Sequence, residues 1–192
     1  MTSLSPFQAT DLFELNPINL DPLTENFNIG FYLEYLTAWP SLFFKSSEIS
    51  SECKDIISGY MMGKTEGKGK DWHTHITAVT IHHSYRRIGL ASYLCNNLEY
   101  ITDAKPHETR FIDLFVRVNN SLALHLYEKL GYSVYRRVVG YYGGENEYPM
   151  DTKTINDHKD AFDMRKGMKR DKGEGTRENG REYRVLPHEV RF

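Results

Sequence analysis

Arg86 and Arg87, then Gly89, then Ala91 stand close together in the stretch "SYRRIGLA", residues 84–91. An alternating, β-branched run, "WHTHITAVTIHHSY", leads into it, and the helix-periodic "GLASYLCNNLEYI" leads out. The first amides of a helix have no partners inside the helix and sit at the positive end of its dipole. Glycine and alanine leave those amides open to close approach, and two guanidinium groups add charge-assisted hydrogen bonds. The arrangement suits an anion of pyrophosphate size. A plain strand-to-helix turn with solvated arginines is the alternative reading of this segment taken alone.

The strand before it carries a second set. By alternation His73, His75, Thr77 and Val79 share one face. Such a face can lead a substrate toward a reactive group, although a histidine near a sheet is more often satisfied structurally. No carboxylate or cysteine stands at confirming spacing, so no metal site is expected. The lysine-rich "GKTEGKGK" lacks the Gly-x-x-x-x-Gly-Lys-Ser/Thr order and runs between two strands, so it reads as a hairpin loop and not a phosphate loop.

The elements that must position these residues follow from periodicity. "LSPFQATDLFEL" reads as a short strand and then a helix capped by Thr10 or Asp11, and "NPINLDPLTENFNIGF" as a loop. "FYLEYLTAWP" is aromatic at helical spacing and stops at Trp39-Pro40. "SLFFKSS" and "IISGYMMGK" are strands around a polar loop. "GLASYLCNNLEYI" places Leu90, Leu94, Leu98 and Ile101 on one face of a helix. "RFIDLFVRV" is a near-continuous apolar strand. "SLALHLYEKLGY" is a helix with Ala123, Leu126, Tyr127 and Leu130 inward, stopped by Gly131. "YSVYRRVVGYYG" and "AFDMRKGM" are further strands on either side of a polar loop at residues 143–160. Strands alternating with helices imply an α/β domain with a mixed sheet. That domain spans residues 2–167, and residues 168–192 form a charged tail, flexible or docked on a partner.

Composition excludes several classes. The 192 residues suffice for one domain with a real core. A net charge of −2 argues against a nucleic-acid binder that works by global electrostatics. Two cysteines, Cys53 and Cys95, give no disulfide framework, so a reducing cytosol or nucleus is expected. The start of the chain has no signal-peptide pattern, and no stretch approaches the length of a membrane span. Aromatic residues make up 13 % of the chain, with 13 tyrosines, which points to a cleft both apolar and wet.

On a strand-loop-helix, Arg86-x-x-Gly89-x-Ala91 resembles the acetyl-CoA signature of the GCN5-related N-acetyltransferase (GNAT) superfamily. That pattern is Arg or Gln, two spacers, Gly, a spacer, then Gly or Ala. "NNSLALHLYEKLGY" resembles a second segment of the same superfamily through Asn120, Ala123, Tyr127, Gly131 and Tyr132. The resemblance implies the GNAT fold, a mixed and mostly antiparallel sheet, splayed and flanked by helices. It implies acetyl-CoA as co-substrate. Val79 and Ile81 would offer main-chain groups to the pantetheine arm, Arg86, Arg87, Gly89, Leu90 and Ala91 would hold the pyrophosphate, and Asn120 would lie beside the pantetheine. Asn120 also fits a helix cap, and the two roles are compatible.

The chemistry implied is attack of an amine on a thioester. A backbone N–H near Val79 can stabilise the oxyanion. A thiol has a pKa of about 8.5, so a tyrosine of about 10 can protonate the leaving sulfur, and Tyr127 occupies the superfamily's tyrosine position. An α-amine, with a pKa of about 8 against about 10.4 for lysine, needs little help to lose its proton. His75, or a water it orders, can give that help.

"INLDPLTENF", "FYLEYLTAWP", "DLFVRVNN", "LGYSVYRRVVGYYG" and "DMRKGMKRD" resemble the catalytic subunits of NatB-type N-terminal acetyltransferases. This implies acetylation of nascent chains that begin with Met followed by Asp, Glu, Asn or Gln. It also implies a large helical-repeat auxiliary subunit that brings the enzyme to ribosomes in the cytoplasm, with no membrane and no direct nucleic-acid contact. The residues at substrate-contacting positions are Glu25, Phe27, His75, Thr77, Tyr141 and Tyr142. Phe27 is an apolar wall for methionine, and Glu25 holds either a loop or the incoming ammonium. His75 and Thr77 can bond the second residue, and the tyrosine pair can bond peptide backbone. A GNAT enzyme acting on lysine or a small amine, and a non-catalytic CoA-binding subunit, are the alternatives.

Overall fold

The computed structural model describes residues 2–21, 24–49, 55–143, 151–173 and 175–190. Cys53, the loop between the second and third strands, and residues 144–150 lie outside them. Among the described residues eight strands and four helices appear: β1 (Ser3–Pro6), α1 (Asn16–Asn19), α2 (Ile29–Ala38), β2 (Phe43–Ile49), β3 (Asp55–Glu66), β4 (His73–Ile81), α3 (Leu90–Asp103), β5 (Phe111–Arg117), α4 (Ser121–Lys129), β6 (Ser133–Val138), β7 (Ala161–Gly167) and β8 (Arg184–Val185). They are shared between two compact units, one of Met1–Lys64 with Ile76–His107, the other of Thr65–His75 with Glu108–Phe192. The strand pairings are mostly antiparallel, as the resemblance to the GNAT superfamily implies.

In the first unit the strand order is β1-β2-β3-β4. β1 and β2 pair antiparallel, as do β2 and β3, with an irregularity between Ser46 and Ser47. A Cβ on Gly59 of β3 would lie 2.8 Å from the carbonyl oxygen of Thr80, so only glycine fits this close approach to β4. The core is aromatic: Phe7 stacks on Phe43 at 4.1 Å, and Tyr32, Tyr35, Tyr60, Ile18 and Met62 join them. Burying two tyrosine hydroxyls there requires partners. Asn19 supplies them, accepting from Tyr60 Oη at 3.1 Å and donating to Tyr32 Oη at 3.1 Å. α3 buries Leu90, Leu94 and Leu98, each contributing about 2 kcal/mol by removing apolar surface from water.

Two readings of this unit change. Residues Ala9–Glu14 form 3-10 turns, and neither Thr10 nor Asp11 is the cap. Gln8 stands at that position, and Asp11 reaches back to accept from its backbone N–H at 2.8 Å. Part of the expected loop is helical as well, because Pro17 at the start of α1 presets its first turn.

In the second unit the order is β5-β7-β6-β8. β5 and β6 both pair antiparallel with β7, and β8 runs parallel to β6. α4 buries Leu124 and Tyr127, while Ala123, Leu126 and Leu130 are half-buried, so the inward face is turned slightly from the one periodicity gives. Gly131, at φ 92°, ends the helix. β6 stops at Val138 because Gly140, at φ 70°, turns the chain, which takes Tyr141 and Tyr142 out of the expected strand.

The chain beyond Lys169 is anchored to this unit by its own side chains. Arg177 lies over the rings of Tyr135 at 4.2 Å and Tyr183 at 3.8 Å, and Arg181 pairs with Glu128 at 2.6 Å. Val185 packs with Val138 and Ala161. Gly180 sits so close to β6 that a Cβ would fall 1.9 Å from the carbonyl oxygen of Val134. A methyl group has nowhere to go there. Gly180→Ala should therefore lower the unfolding free energy by about 2 kcal/mol, the usual scale of overpacking. A denaturant titration checks the loss, and limited proteolysis should then cut the chain between residues 175 and 190 first.

Candidate active site

β4 sets the frame. Residues 74, 76, 78 and 80 are buried, whereas 75, 77, 79 and 81 are half-buried. Alternation thus places His75, Thr77, Val79 and Ile81 on one accessible face, as read from the sequence. His73 departs from that pattern because it is wholly buried.

In the first unit two groups gather. Thr77 Oγ1 is 2.7 Å from Tyr35 Oη on α2. From Tyr35 a ladder of rings leads outward, to Phe31 at 4.9 Å and on to Phe27 at 4.6 Å. Phe27 also meets Tyr32 edge-on at 5.8 Å. Its loop is tied down by Asn26 donating to the Asn19 carbonyl at 2.7 Å and Thr24 to that of Ile18 at 3.2 Å. Phe27 therefore forms an apolar wall continuous with the core, and Glu25 is exposed on the same loop. Sequence reasoning does not single out Tyr35; it takes most rings of the aromatic helix at residues 31–39 as core and the helix with its neighbouring loop as a candidate docking surface for a partner.

The second group is the turn into α3. Gly89 caps the helix at φ 92°, with open space where a Cβ would point. The amides of Leu90 and Ala91 follow it as unpaired first-turn donors. Arg87 is exposed and takes φ 69°, unusual for a residue with a side chain. Arg86 is held inward. Its Nε donates to the Ile81 carbonyl at 3.1 Å, and its guanidinium pairs with Asp21 at 3.0 Å. The loop thus offers what a pyrophosphate needs, namely naked amides beside one pinned and one solvated cation. His82 sits next to it, its pKa held below the usual imidazole range by burial and by the neighbouring His83 and Arg86.

In the second unit His75 begins a chain of contacts. Its ring lies 5.6 Å from Phe115, which stacks on Tyr141 at 4.6 Å, which meets Tyr142 edge-on at 5.0 Å. Tyr142 donates to the Phe115 carbonyl at 3.4 Å, and Arg117 covers its ring at 3.8 Å. The turn carrying both tyrosines hangs on Asp160, which accepts from the Gly140 N–H at 2.8 Å and from Arg137 Nε at 2.8 Å. Tyr141 remains 37 % exposed, so its ring is available to a ligand. Asn120 caps α4, accepting from the Ala123 N–H at 3.1 Å. Tyr127 belongs to a separate pair, 6 % exposed and 5.6 Å edge-on from Tyr132.

Sequence reasoning missed Asp113. It lies in the middle of the apolar β5, fully buried, with Oδ1 2.9 Å from His75 Nδ1 and 3.6 Å from His73 Nε2. A lone acid inside such a strand is a signal in itself, since a buried charge requires a partner. Burial would raise its pKa, but His75, His73 and Arg165 outweigh that and hold it below the usual range. His73 Nδ1 donates to the Asp71 carbonyl at 2.7 Å, and its ring stacks on Phe111 at 4.8 Å. Burial disfavours its charge, yet Glu66 and Asp113 raise its pKa above the usual value. Among the described residues no group of three or more His, Cys, Asp or Glu could hold a metal ion.

A raised histidine pKa links stability to pH. The imidazolium of His73 stabilises the fold fully below its unfolded pKa of about 6.5, and the contribution is lost as pH rises through the higher folded value. Asp113 acts at the other end, its contribution present above the unfolded carboxylate pKa and lost as pH falls through its depressed folded one. Melting temperatures measured at a series of pH values should decline on the alkaline side above about 6.5. His73→Gln should flatten that arm; an unchanged slope would remove His73 as its cause.

The profile of the Acetyltransferase (GNAT) family matches residues 12–132. The N-terminal acetyltransferase B complex catalytic subunit of Saccharomyces cerevisiae is 60 % identical over 195 residues, covering 100 % of both chains. A solved NatB acetyltransferase complex bound to a bisubstrate inhibitor contains a chain that is 58 % identical, with a TM-score of 0.88 and 99 % of each chain covered. A NatB complex bound to CoA and MES contains one that is 59 % identical, with a TM-score of 0.70 over 86 % of this chain and 99 % of that one. With the profile match and the full-length similarity in agreement, this chain belongs to the acetyltransferase (GNAT) family.

Proposed function

We propose that the chain is the catalytic subunit of a NatB-type N-terminal acetyltransferase, moving acetyl from acetyl-CoA to the α-amine of chains beginning Met-Asp, Met-Glu, Met-Asn or Met-Gln. The observation that carries this reading is full-length similarity, 60 % identity, to a catalytic subunit of that type. The site geometry supports it. On this reading the amides of Gly89, Leu90 and Ala91, with Arg86 and Arg87, bind the pyrophosphate, and the main chain of Val79 and Ile81 aligns the pantetheine. Asn120 stands beside that path while capping α4.

Phe27 provides the wall for the first methionine, and Glu25 stands at the loop's exposed edge. Thr77, oriented by Tyr35, and His75 face the second residue, and Tyr141 and Tyr142 take the peptide backbone. His75, directly or through a water, accepts the amine's proton as nitrogen bonds to the acetyl carbon. Tyr127 gives a proton to the sulfur as the carbon–sulfur bond breaks. A GNAT domain spanning residues 2–167 does this work in a heterodimer with a helical-repeat auxiliary subunit that places it at ribosomes in the cytoplasm. No helix among the described residues is long and apolar enough to cross a membrane.

The complex, given acetyl-CoA, should acetylate Met-Asp and Met-Glu peptides and turn over internal lysine at least about 10²-fold more slowly on amine basicity alone. Robust lysine turnover with none at Met-Asp would overturn the reading. Tyr127→Phe should lower kcat by about 10²-fold or more, the usual contribution of a general acid, while acetyl-CoA still binds. An intact rate would take the acid's role from Tyr127 and leave the activity itself standing.

A further inference from the structure

We infer that Asp113 is the positioning residue of His75: its buried carboxylate fixes the proton on Nδ1 of the imidazole and so makes Nε2 the atom that takes the incoming amine's proton. The inference rests on the reading of His75 as the base. An ionised carboxylate can only accept, so the 2.9 Å contact between Asp113 Oδ1 and His75 Nδ1 requires a proton on that nitrogen. The other ring nitrogen is left with its lone pair. As the amine nitrogen bonds to the acetyl carbon, its proton passes to Nε2, directly or through one water. The imidazolium formed is stabilised across the same hydrogen bond, and solvent later removes the proton.

The surroundings keep Asp113 ionised. From β4, His73 brings its Nε2 to 3.6 Å of the same oxygen, and the backbone carbonyl of Asp71 holds the proton on its Nδ1. His73 Nε2 lies between Asp113 and Glu66 of β3, whose carboxylate is also 3.6 Å away, and both acids favour its protonated form. From β7, Arg165 stands directly across the ladder from Asp113. Arg165 also pairs with Asp163 at 3.0 Å, which in turn takes Arg136 of β6 at 2.8 Å. Burial, reinforced by the charge of Asp113, raises the pKa of Asp163, whereas the neighbours of Asp113 lower that of Asp113. The result is a line of hydrogen-bonding and ionic groups, Glu66 to His73 to Asp113 to His75, ending on the accessible face of β4.

The test uses the chain with its auxiliary subunit, acetyl-CoA and a Met-Asp peptide, following kcat and KM separately. His75→Gln and Asp113→Asn should each lower kcat/KM by about 10²-fold, and the double variant should fall no further, because both remove one proton-transfer device. Asp113→Asn should lower kcat and leave the KM for the peptide unchanged, since the substrate contacts remain and only the proton acceptor is misaligned. If the two losses multiply, or KM rises with the loss, Asp113 acts only on structure and the inference fails. If His75→Gln is impaired and Asp113→Asn is not, the inference fails while the base assignment stands. If His75→Gln keeps full turnover, the base assignment fails and takes the inference with it. Should Asp113→Asn not fold, solid-state NMR of the native complex with ¹⁵N-histidine in this chain decides. A protonated Nδ1 and bare Nε2 at His75 support the relay, and the opposite tautomer overturns it.

Discussion

One strand, buried on one side and half-open on the other, is the constraint from which the rest follows. β4 gives its even-numbered residues to the core and keeps His75, Thr77, Val79 and Ile81 accessible. The two-residue period of a strand makes that division rigid, because a slip by one position would bury the accessible face and expose the apolar one. Residues on such a face cannot borrow precision from their own packing. They are aimed instead by groups from elsewhere: Tyr35 holds Thr77, Asp113 holds His75, and Arg86 reaches back to the carbonyl of Ile81.

The polar groups that do the aiming are satisfied in networks. Asn19 serves two tyrosines at once, and Asp160 serves an arginine and a turn amide. Removing one member of a buried ionic pair leaves the other without compensation, which commonly costs about 3–5 kcal/mol. The loop bearing Phe27 and the turn bearing Tyr141 and Tyr142 are thereby held by their feet, while Glu25 and Tyr141 stay exposed at their tips. Each support keeps its own exposed side chains in place without letting them collapse onto the core.

The glycine turn before α3 and the strand-helix order were legible because local chemistry writes them. Gly89 needs a positive φ, Gly131 ends a helix, and alternation marks β4. What escaped depends on partners distant in the chain. Nothing near Arg86 announces Asp21, and Asp113 looks like an interruption in β5 until His73 and His75 are placed beside it. Thr10 and Asp11 were both reasonable caps by residue type, but Gln8 holds the place because Asp11 is drawn back to its amide. The Tyr141-Tyr142 pair read as strand because aromatic residues favour strands, and one glycine at φ 70° outweighed that preference.

The parallel pairing of β8 with β6 has a consequence for how the molecule meets others of its kind. A strand at the margin of a sheet offers a row of amides and carbonyls to any extended chain that passes, and a margin six residues long is an inviting template. Laying only Arg184 and Val185 along it leaves an outermost strand of two residues, too short to nucleate fibrous stacking. The far end of the polypeptide thus doubles as a guard against self-association.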